Sequence, residues 1–568
     1  MTTTPGGLLL VLSVLVPFVG VMAGFVLGGR NPQRIALLTL VAGLGIALAI
    51  ADAYLRSGSA LVYLLGGWAP PLGVALRADS LSVMMLVAIA VVICGIGVYA
   101  CADFGTPEGR REARAPFSFW LLLLAVWGSL NLVFVSGDLF TLYVALELLT
   151  FAGVPLVCLD GRGETLRAAL RYLLFALLGS VFYLLGAVLL FGACGTLDIP
   201  LLAARVRPEP VVWTAAALMT TGLLAKTALF PLHLWLPPAH AGAPAAASAV
   251  LSALVVKGSW FLVVRLWFDV LPGVVTFSAA QVLGGLGAVA IALFSVVALR
   301  QQRLKLLIAY STLAQIGYLF LMFPLAFDIA AGHLVRGDAV TAGMLQAISH
   351  ATAKAAMFMA AGSIYAALGH DRLAGMAGIA RALPISMLAL GLGGVALMGV
   401  LPSGAYLAKK LLMGAADGSG QWWWTWVLLA GGALTSSYVV LVIARAFRTP
   451  DEPVQLAKQV SRVAQSAALA LSVCSVLLAC AALGPLPASL IANPLAPKEL
   501  MTLLITVGCG GALAWFFAAR AADAHLSRQV ARSVGGTFER SDAFLRRWPV
   551  AGISLLVVAG GFGWALVT

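Results

Sequence analysis

The chain has 568 residues, 62% hydrophobic and only 10% charged, with a formal net charge of +13. A soluble globular chain has roughly 45–50% apolar and about 25% charged residues, so a water-soluble protein of this size is excluded: it could not hide so much apolar surface. The positive charge does not indicate a nucleic-acid partner, because the arginines sit in short loops between apolar runs, where they read as a topology signal.

The first apolar run, residues 7–28, is longer than the roughly 7–15 residues of a signal-peptide core, and no basic residue precedes Arg30. It is read as a retained first span. A bilayer core needs about 20 apolar residues per helix. On that measure about sixteen spans follow, centred near residues 17, 42, 91, 126, 148, 180, 221, 255, 285, 313, 353, 395, 433, 473, 510 and 558. One set of alternate loops is rich in basic residues: Arg30 and Arg34; Arg110, Arg111 and Arg114; Arg162 and Arg167; Arg300, Arg303 and Lys305; Arg372 and Arg381; Arg445, Arg448 and Lys458. The opposite set holds Arg56, Arg77, Arg205, Arg207 and Arg336. Basic loops stay in the cytoplasm, so both termini are expected outside a bacterial inner membrane. Between the last two spans, residues 520–548 are rich in arginine and alanine. This stretch is expected either as an amphipathic helix on the cytoplasmic face, broken in two at Gly535–Gly536, or as a solvated loop. No long polar linker interrupts this single membrane domain.

Seven cysteines, Cys94, Cys101, Cys158, Cys194, Cys474, Cys480 and Cys509, fall in or beside apolar runs without metal-ligand spacing, and read as small packing residues. No metal or cofactor is expected.

The chemistry is in the charges inside the spans. Of only eight lysines, Lys226, Lys257, Lys354 and Lys409 lie within apolar stretches, and Lys305 begins a span. Glu147 is the only glutamate inside a span. An ionisable group at mid-membrane costs at least roughly 2.5–3.5 kcal/mol. Glu147 could pair with one lysine but not with four, and unpaired buried charge is a poor structural device. It is a reasonable device for groups that take up and release protons near neutral pH. His350 and Lys354 are one helical turn apart and share a face, so a proton could pass between them directly or through one water. Ser311, Thr312 and Gln315 put polar groups on one face of their span, either to hold water or to hydrogen-bond across helices. Pro231 follows Lys226 and Pro402 precedes Lys409, so both lysines lie beside helix breaks, which in the two halves of a bundle point to a transport site. His233 and His240 follow Pro231, at the end of that span or in a loop.

At these residues the sequence resembles the antiporter-like membrane subunits of NADH:quinone oxidoreductase (respiratory complex I), membrane-bound hydrogenases and Mrp-type cation/proton antiporters. The matching stretches are GDLFTLYVALELLTF, LLAKTALFPLHLWLPPAHAGAPAAASAVLSALVVKGSWFLVVRL, LKLLIAYSTLAQIGY, SHATAKAAMFMAAGSI and LPSGAYLAKKLL, spread from about residue 117 to 413. The resemblance implies an all-α integral membrane fold with two inverted five-helix repeats. Spans 1–3 would occupy residues 1–116, the repeats 117–268 and 269–447, and the last three spans 448–568, with helices 7 and 12 broken. It also implies a relay: Glu147 as the fifth-span carboxylate, Lys226 of span 7 coupled to it, Lys257 as the connector, His350 and Lys354 continuing the line, and Lys409 near the outward exit. Arg171 stands where a sixth-span lysine or arginine is common. The sixteen spans and late amphipathic segment are similar to the longest subunit of complex I, whose lateral helix is much longer.

The implied function is a non-redox, proton-pumping subunit of a larger oxidoreductase or translocase. Its partners would be similar antiporter-like subunits, small membrane subunits and a soluble redox or coupling arm. Exchange of Na+ for H+, energy coupling for inorganic-carbon uptake, and a purely structural scaffold are the competing expectations.

Overall fold

The computed structural model describes residues 2–106, 113–450, 453–478, 496–518 and 525–568. Arg110, Arg111 and Cys480, and residues 520–524 of the amphipathic segment, lie outside the described residues. Thirteen helices among the described residues are long and apolar enough to cross a membrane. Each of the sixteen expected centres falls inside a helix. The three that are not among the thirteen are Pro210–Thr227, Pro384–Leu397 and Arg462–Leu477. The first two are the leading halves of helices 7 and 12, and both are broken where prolines and charges coincide in the sequence.

Burial orders the bundle. The most apolar windows of span 1 (Leu8–Leu27) and of Glu499–Phe517 are only 28% and 17% buried, so most of their surface is left for lipid. Span 8 (Ala245–Val270), span 10 (Leu304–Leu325) and span 11 (Asp338–Leu368) are 100%, 94% and 83% buried. A helix closed off from lipid can carry polar side chains that a lipid-facing one cannot. These three inner helices hold Lys257, Ser311, Thr312, Gln315, His350 and Lys354. Close helix approach depends on small residues: a Cβ at Gly179 on span 6 (Gly163–Cys194) would lie 2.7 Å from the Gly222 carbonyl oxygen of span 7.

The ends of the bundle are chemically different. Loop ends around Asp103, Asp160, Arg162, Ala243, Arg303, Lys305, Tyr365, Lys458 and Trp548 line one cavity of about 930 Å³. Three of the expected basic loops, those of Arg162 and Arg167, of Arg303 and Lys305, and of Lys458, therefore gather at one end. At the opposite end a short hairpin pairs Leu61–Leu64 with Ala75–Ala78. Here Arg265 donates to both carboxylate oxygens of Asp79 (2.6 and 2.6 Å), to Asp269 (2.8 Å) and to Ser82 Oγ (2.6 Å). Arg336 joins the same two aspartates.

The break in span 7 is made by backbone. Pro210–Thr227 ends at Ala228, which has φ 60 and ψ 34 and is the only described non-glycine residue with positive φ. The chain folds back, the Trp235 indole N–H donates to the Ala225 carbonyl (3.1 Å), and helix resumes at Leu236–Gly242. In span 12, Pro384–Leu397 stops before Gly399 (φ 67) and helix resumes at Gly404–Gly418, capped by Ser403. The Gln315 amide donates to the freed Leu397 carbonyl (3.4 Å). In span 12 a side chain thus satisfies a carbonyl that the lost turn leaves free, while in span 7 the Ala225 carbonyl accepts both the Trp235 indole and the Ala228 backbone N–H (3.3 Å).

One expectation is corrected. Gly535 and Gly536 do not break the amphipathic segment, which is a continuous helix over His525–Leu545. Gly535 serves packing instead, since a Cβ there would come within 2.6 Å of Arg300 Cδ. The described cysteines are half-buried, except Cys509, which is exposed.

An L-residue held in the left-handed region costs about 1–2 kcal/mol, so Ala228→Gly should raise thermal stability in detergent by about 1 kcal/mol; an unchanged or lower unfolding temperature would show that the break carries no strain. A second prediction concerns Asp79. Burial pushes its carboxyl up, but Arg265 and Arg336 outweigh it and hold the group well below the usual carboxylate range. Such a group stabilises the fold above its unfolded-state pKa of about 3.9 and loses that contribution as pH falls through its folded value. Asp79→Ala, which also removes the cap on Ser82, should cost about 2–4 kcal/mol. Thermal unfolding should show that deficit unchanged from pH 8 to pH 5 and shrinking only in stronger acid.

Candidate functional site: a polar line through the innermost spans

The line begins between spans 5, 6 and 7. Glu147, on span 5 (Leu139–Val157), has a side chain 13% exposed and forms an ion pair with Lys226 Nζ at 3.1 Å. The Ser180 hydroxyl of span 6 donates to the same Glu147 oxygen. Lys226 also donates to Thr150 Oγ1 (2.8 Å) and the Leu146 carbonyl (3.4 Å). Its three protons thus have three acceptors, which is how a buried ammonium is held without a second carboxylate.

The next residue, Thr227, shares a 3.0 Å hydrogen bond with Ser259 of span 8, two residues from Lys257. Span 8 contains a π-helical turn at Leu251–Val255, a form common at functional sites. Lys257 Nζ donates to the Ser252 carbonyl inside that turn (3.0 Å) and contacts His350 Nδ1. The Ser252 and Thr312 hydroxyls join spans 8 and 10 at 2.9 Å.

Span 11 carries the line onward. Lys354 Nζ donates to Ser311 Oγ (2.5 Å) and the Ile308 carbonyl (3.4 Å). No hydrogen bond joins His350 directly to Lys354; each reaches a different neighbouring helix. Gln346 donates to Gln315 Oε1 (3.0 Å), and Gln315 donates to Thr435 Oγ1 (3.2 Å). Beyond them lies Lys409, half-buried in the second half of span 12. It lines a cavity of about 10 Å³ with Tyr318, Gln346, Met398, Gly399 and Gly432, room for roughly one water.

The auxiliary residues divide. Pro231 and Pro402 lie in the two breaks. His233 and His240 are both fully buried, His233 in the non-helical break after Thr227 and His240 on the helix Leu236–Gly242. His240 stacks on Phe358 with ring centroids 4.8 Å apart, and neither of its nitrogens has a protein partner. Lys305 is buried at the basic end and donates to the Ala243 carbonyl. Arg171 is half-exposed and lines the large cavity at that end.

Sequence reasoning missed the hydroxyls and amides that connect the charges: Thr150, Ser180, Thr227, Ser252, Ser259, Gln346 and Thr435. Of these only Gln346 carried a readable signal, since it stands four residues before His350 and eight before Lys354, on the same helical face. Asp542, which contacts His233 at 3.0 Å, was missed as well.

The comparisons with known proteins agree with this architecture. Residues 136–435, more than half of the chain, match the family described as NADH:quinone oxidoreductase/Mrp antiporter, TM. The NADH-quinone oxidoreductase subunit N of Desulforudis audaxviator is 32% identical over 442 residues, covering 77% of this chain and 83% of that protein. A subunit of the Na(+)/H(+) antiporter of Alkalihalophilus pseudofirmus is 29% identical, covering 72% and 80%. Among solved structures, a chain of the membrane-bound sulfane sulfur reductase, an archaeal respiratory membrane complex, superposes with a TM-score of 0.74 at 23% identity, over 88% of this chain and 97% of that one. A chain of the Mrp complex from Dietzia sp. DQ12-45-1b gives 0.73 at 24% identity, over 90% and 97%. With more than half of its length matched and a relative 32% identical over most of both chains, the protein belongs to the NADH:quinone oxidoreductase/Mrp antiporter membrane-subunit family.

Proposed function

We propose that this chain is a proton-translocating, antiporter-like subunit of a multisubunit membrane complex. Its proton path is the line from Glu147 and Lys226 through Lys257, His350 and Lys354 to Lys409. The observation that carries the reading is the Glu147–Lys226 ion pair at one end of a polar line built on the three innermost spans. Two unit charges at about 4 Å interact with about 4 kcal/mol at an effective dielectric constant near 20. A tenfold change in proton occupancy takes about 1.4 kcal/mol. Neutralising Glu147, or moving it away, therefore suffices to change whether Lys226 keeps its proton.

A proton released from Lys226 has hydroxyls at Thr227 and Ser259 beside it, then the Lys257–His350 contact. His350 Nε2, Thr221 and Ser248 are buried polar groups without protein partners; such groups are normally satisfied by water. Water at these points would close the gaps between the charged sites. Lys409, beside the break of span 12, would be the exit, toward the end that carries Asp79 and Arg265. The basic end would face the cytoplasm and both termini the outside, because basic loops are retained there. The two inverted repeats would span residues 117–268 and 269–447, a division supported by one broken helix in each.

The relatives named above are subunits of larger assemblies, which supports similar antiporter-like and small membrane subunits as partners, with a soluble redox or coupling arm. A second reading is exchange of a cation for protons, favoured by the similarity to a subunit of a Na(+)/H(+) antiporter.

In inverted membrane vesicles containing the assembled complex, Glu147→Gln and Lys226→Ala should each lower proton transport tenfold or more, with assembly unchanged on native gels. Wild-type transport in both variants would leave only a structural role for the pair. Lys354→Ala should likewise abolish transport, since it alone among the charges reaches Ser311. Dequenching of a pH dye on adding Na+ to energised vesicles would establish the exchange reading; no response to Na+ would reject it.

A further inference from the structure

The last turn of the C-terminal amphipathic helix reaches into the bundle. Most described residues of this helix are partly or fully exposed, yet Asp542 is 2% exposed. Its Oδ1 lies 3.0 Å from His233 Nε2. Its Oδ2 accepts from the Tyr310 hydroxyl (2.8 Å) and from Arg546 (2.8 Å). His233 is fully buried in the break of span 7, and Tyr310 is on span 10, next to Ser311. One turn earlier Glu539 forms an ion pair with Arg300 at the end of span 9, Phe277–Leu299 (2.9 Å). Among the described residues two charged contacts hold the helix, and only that of Asp542 enters the transport region.

The geometry at His233 says more than a clamp requires. A clamp uses one ring nitrogen; here the second, Nδ1, is also buried and has no protein partner. Leaving such a group unsatisfied costs about 1–3 kcal/mol. The Asp542 carboxylate can only accept, so it keeps a proton on Nε2 and leaves the Nδ1 lone pair of the neutral ring as a base. Burial pushes the Asp542 carboxyl up, but the hydrogen bonds from His233 and Tyr310 and the charge of Arg546 outweigh it and keep the group ionised. The ring is fixed edge-on to Phe294, with centroids 4.5 Å apart. The Trp235–Ala225 hydrogen bond folds this stretch back onto the turn that carries Lys226.

We propose that His233 and Asp542 form a proton-holding dyad, contributed jointly by the break of span 7 and the C-terminal helix, on the basic-end side of Lys226. Asp542 is the positioning residue: it fixes the tautomer and balances the imidazolium formed when Nδ1 takes a proton from the aqueous phase. The same N–H bond breaks when the proton moves on, so nothing else is consumed. The inference rests on the proton path proposed above. The charged and titratable groups in contact with the dyad are Arg546 from its own helix and Tyr310 from span 10; Glu539 and Arg300 pair with each other one turn away.

The test uses the assembled complex in inverted vesicles and compares proton transport from pH 5.5 to 8.5 in the wild type, Asp542→Asn, Asp542→Glu, His233→Gln and Glu539→Gln. Asp542→Asn should lower the rate about tenfold at pH 7.5 and move the alkaline limb of the profile at least one pH unit lower. Asp542→Glu, which keeps the charge, should recover at least half of the rate. His233→Gln should match Asp542→Asn, with no further loss in the double variant. Glu539→Gln, which loosens the other attachment of the same helix, should leave rate and profile unchanged. A wild-type rate and profile in Asp542→Asn overturns the dyad, as does equal impairment in Asp542→Asn and Glu539→Gln with a common fall in thermal stability. If Asp542→Asn does not assemble, a wild-type pH profile in His233→Gln overturns it. Lys226→Ala run alongside separates the two readings: inactive Lys226→Ala with fully active Asp542→Asn removes the dyad alone.

Discussion

A charge taken out of water must be given partners or lose its proton, and this molecule is organised around meeting that demand with very few countercharges. Lys226, Lys257, Lys354 and Lys409 lie along the polar line, and Glu147 is its one glutamate. The Glu147–Lys226 pair meets the demand directly, with Ser180 and Thr150 taking up the remaining hydrogen-bonding capacity. Lys257 and Lys354 are met instead by carbonyls, a hydroxyl and an imidazole. Neutral acceptors hold an ammonium less firmly than a carboxylate does. The gradient from a paired lysine to unpaired ones is what a path for mobile protons needs. A stack of matched salt bridges would hold every proton where it is.

The helix breaks serve the same demand. A continuous helix keeps its carbonyls for itself; a broken one releases them at the depth where the charges lie. Ala228 ends the first half of span 7 two residues after Lys226, and Gly399 ends the first half of span 12 ten residues before Lys409. Gln315 reaches back to the Leu397 carbonyl freed in span 12, and Trp235 adds a second donor to the Ala225 carbonyl at the span 7 break, which the Ala228 N–H also reaches. Gln315 also links span 10 to Gln346 and Thr435, so a side chain that repairs one break is at the same time a step of the polar line. The π-helical turn before Lys257 has a related effect, since it leaves the Ser252 carbonyl able to receive the lysine.

The spans were legible because hydrophobic length is a one-dimensional property, and a charge within an apolar run is conspicuous. Glu147, Lys226, Lys257, Lys354 and Lys409 could be read in this way without any structure. Which hydroxyl meets which lysine could not. Serine and threonine are frequent in these helices, and a pairing such as Ser252 with Thr312 or Thr227 with Ser259 depends on helix rotation, which composition does not encode. The two glycines in the amphipathic helix misled for a related reason. Gly535 reads as a breaker on propensity, but its neighbour Arg300 comes from a distant span and needs the space where a Cβ would stand. Asp542 was hidden because an aspartate in an arginine-rich surface helix gives no sign that it points inward.

That last residue bears on how the amphipathic helix relates to the bundle. A helix bound only by its apolar face and surface ion pairs would slide or lift at little cost, because exposed pairs are worth about 0–1 kcal/mol. The Glu539–Arg300 pair, partly exposed, is of that kind. Asp542 is different, because withdrawing it would leave His233 and Tyr310 buried without their acceptor and would expose a charge-balanced site as an unbalanced one. The helix is therefore fixed more firmly at Asp542 than at Glu539, and the firmer point is the one beside the break of span 7. Any movement of that break during transport must either carry the end of the helix with it or break the contact, so the surface helix and the buried path are mechanically one unit at that position.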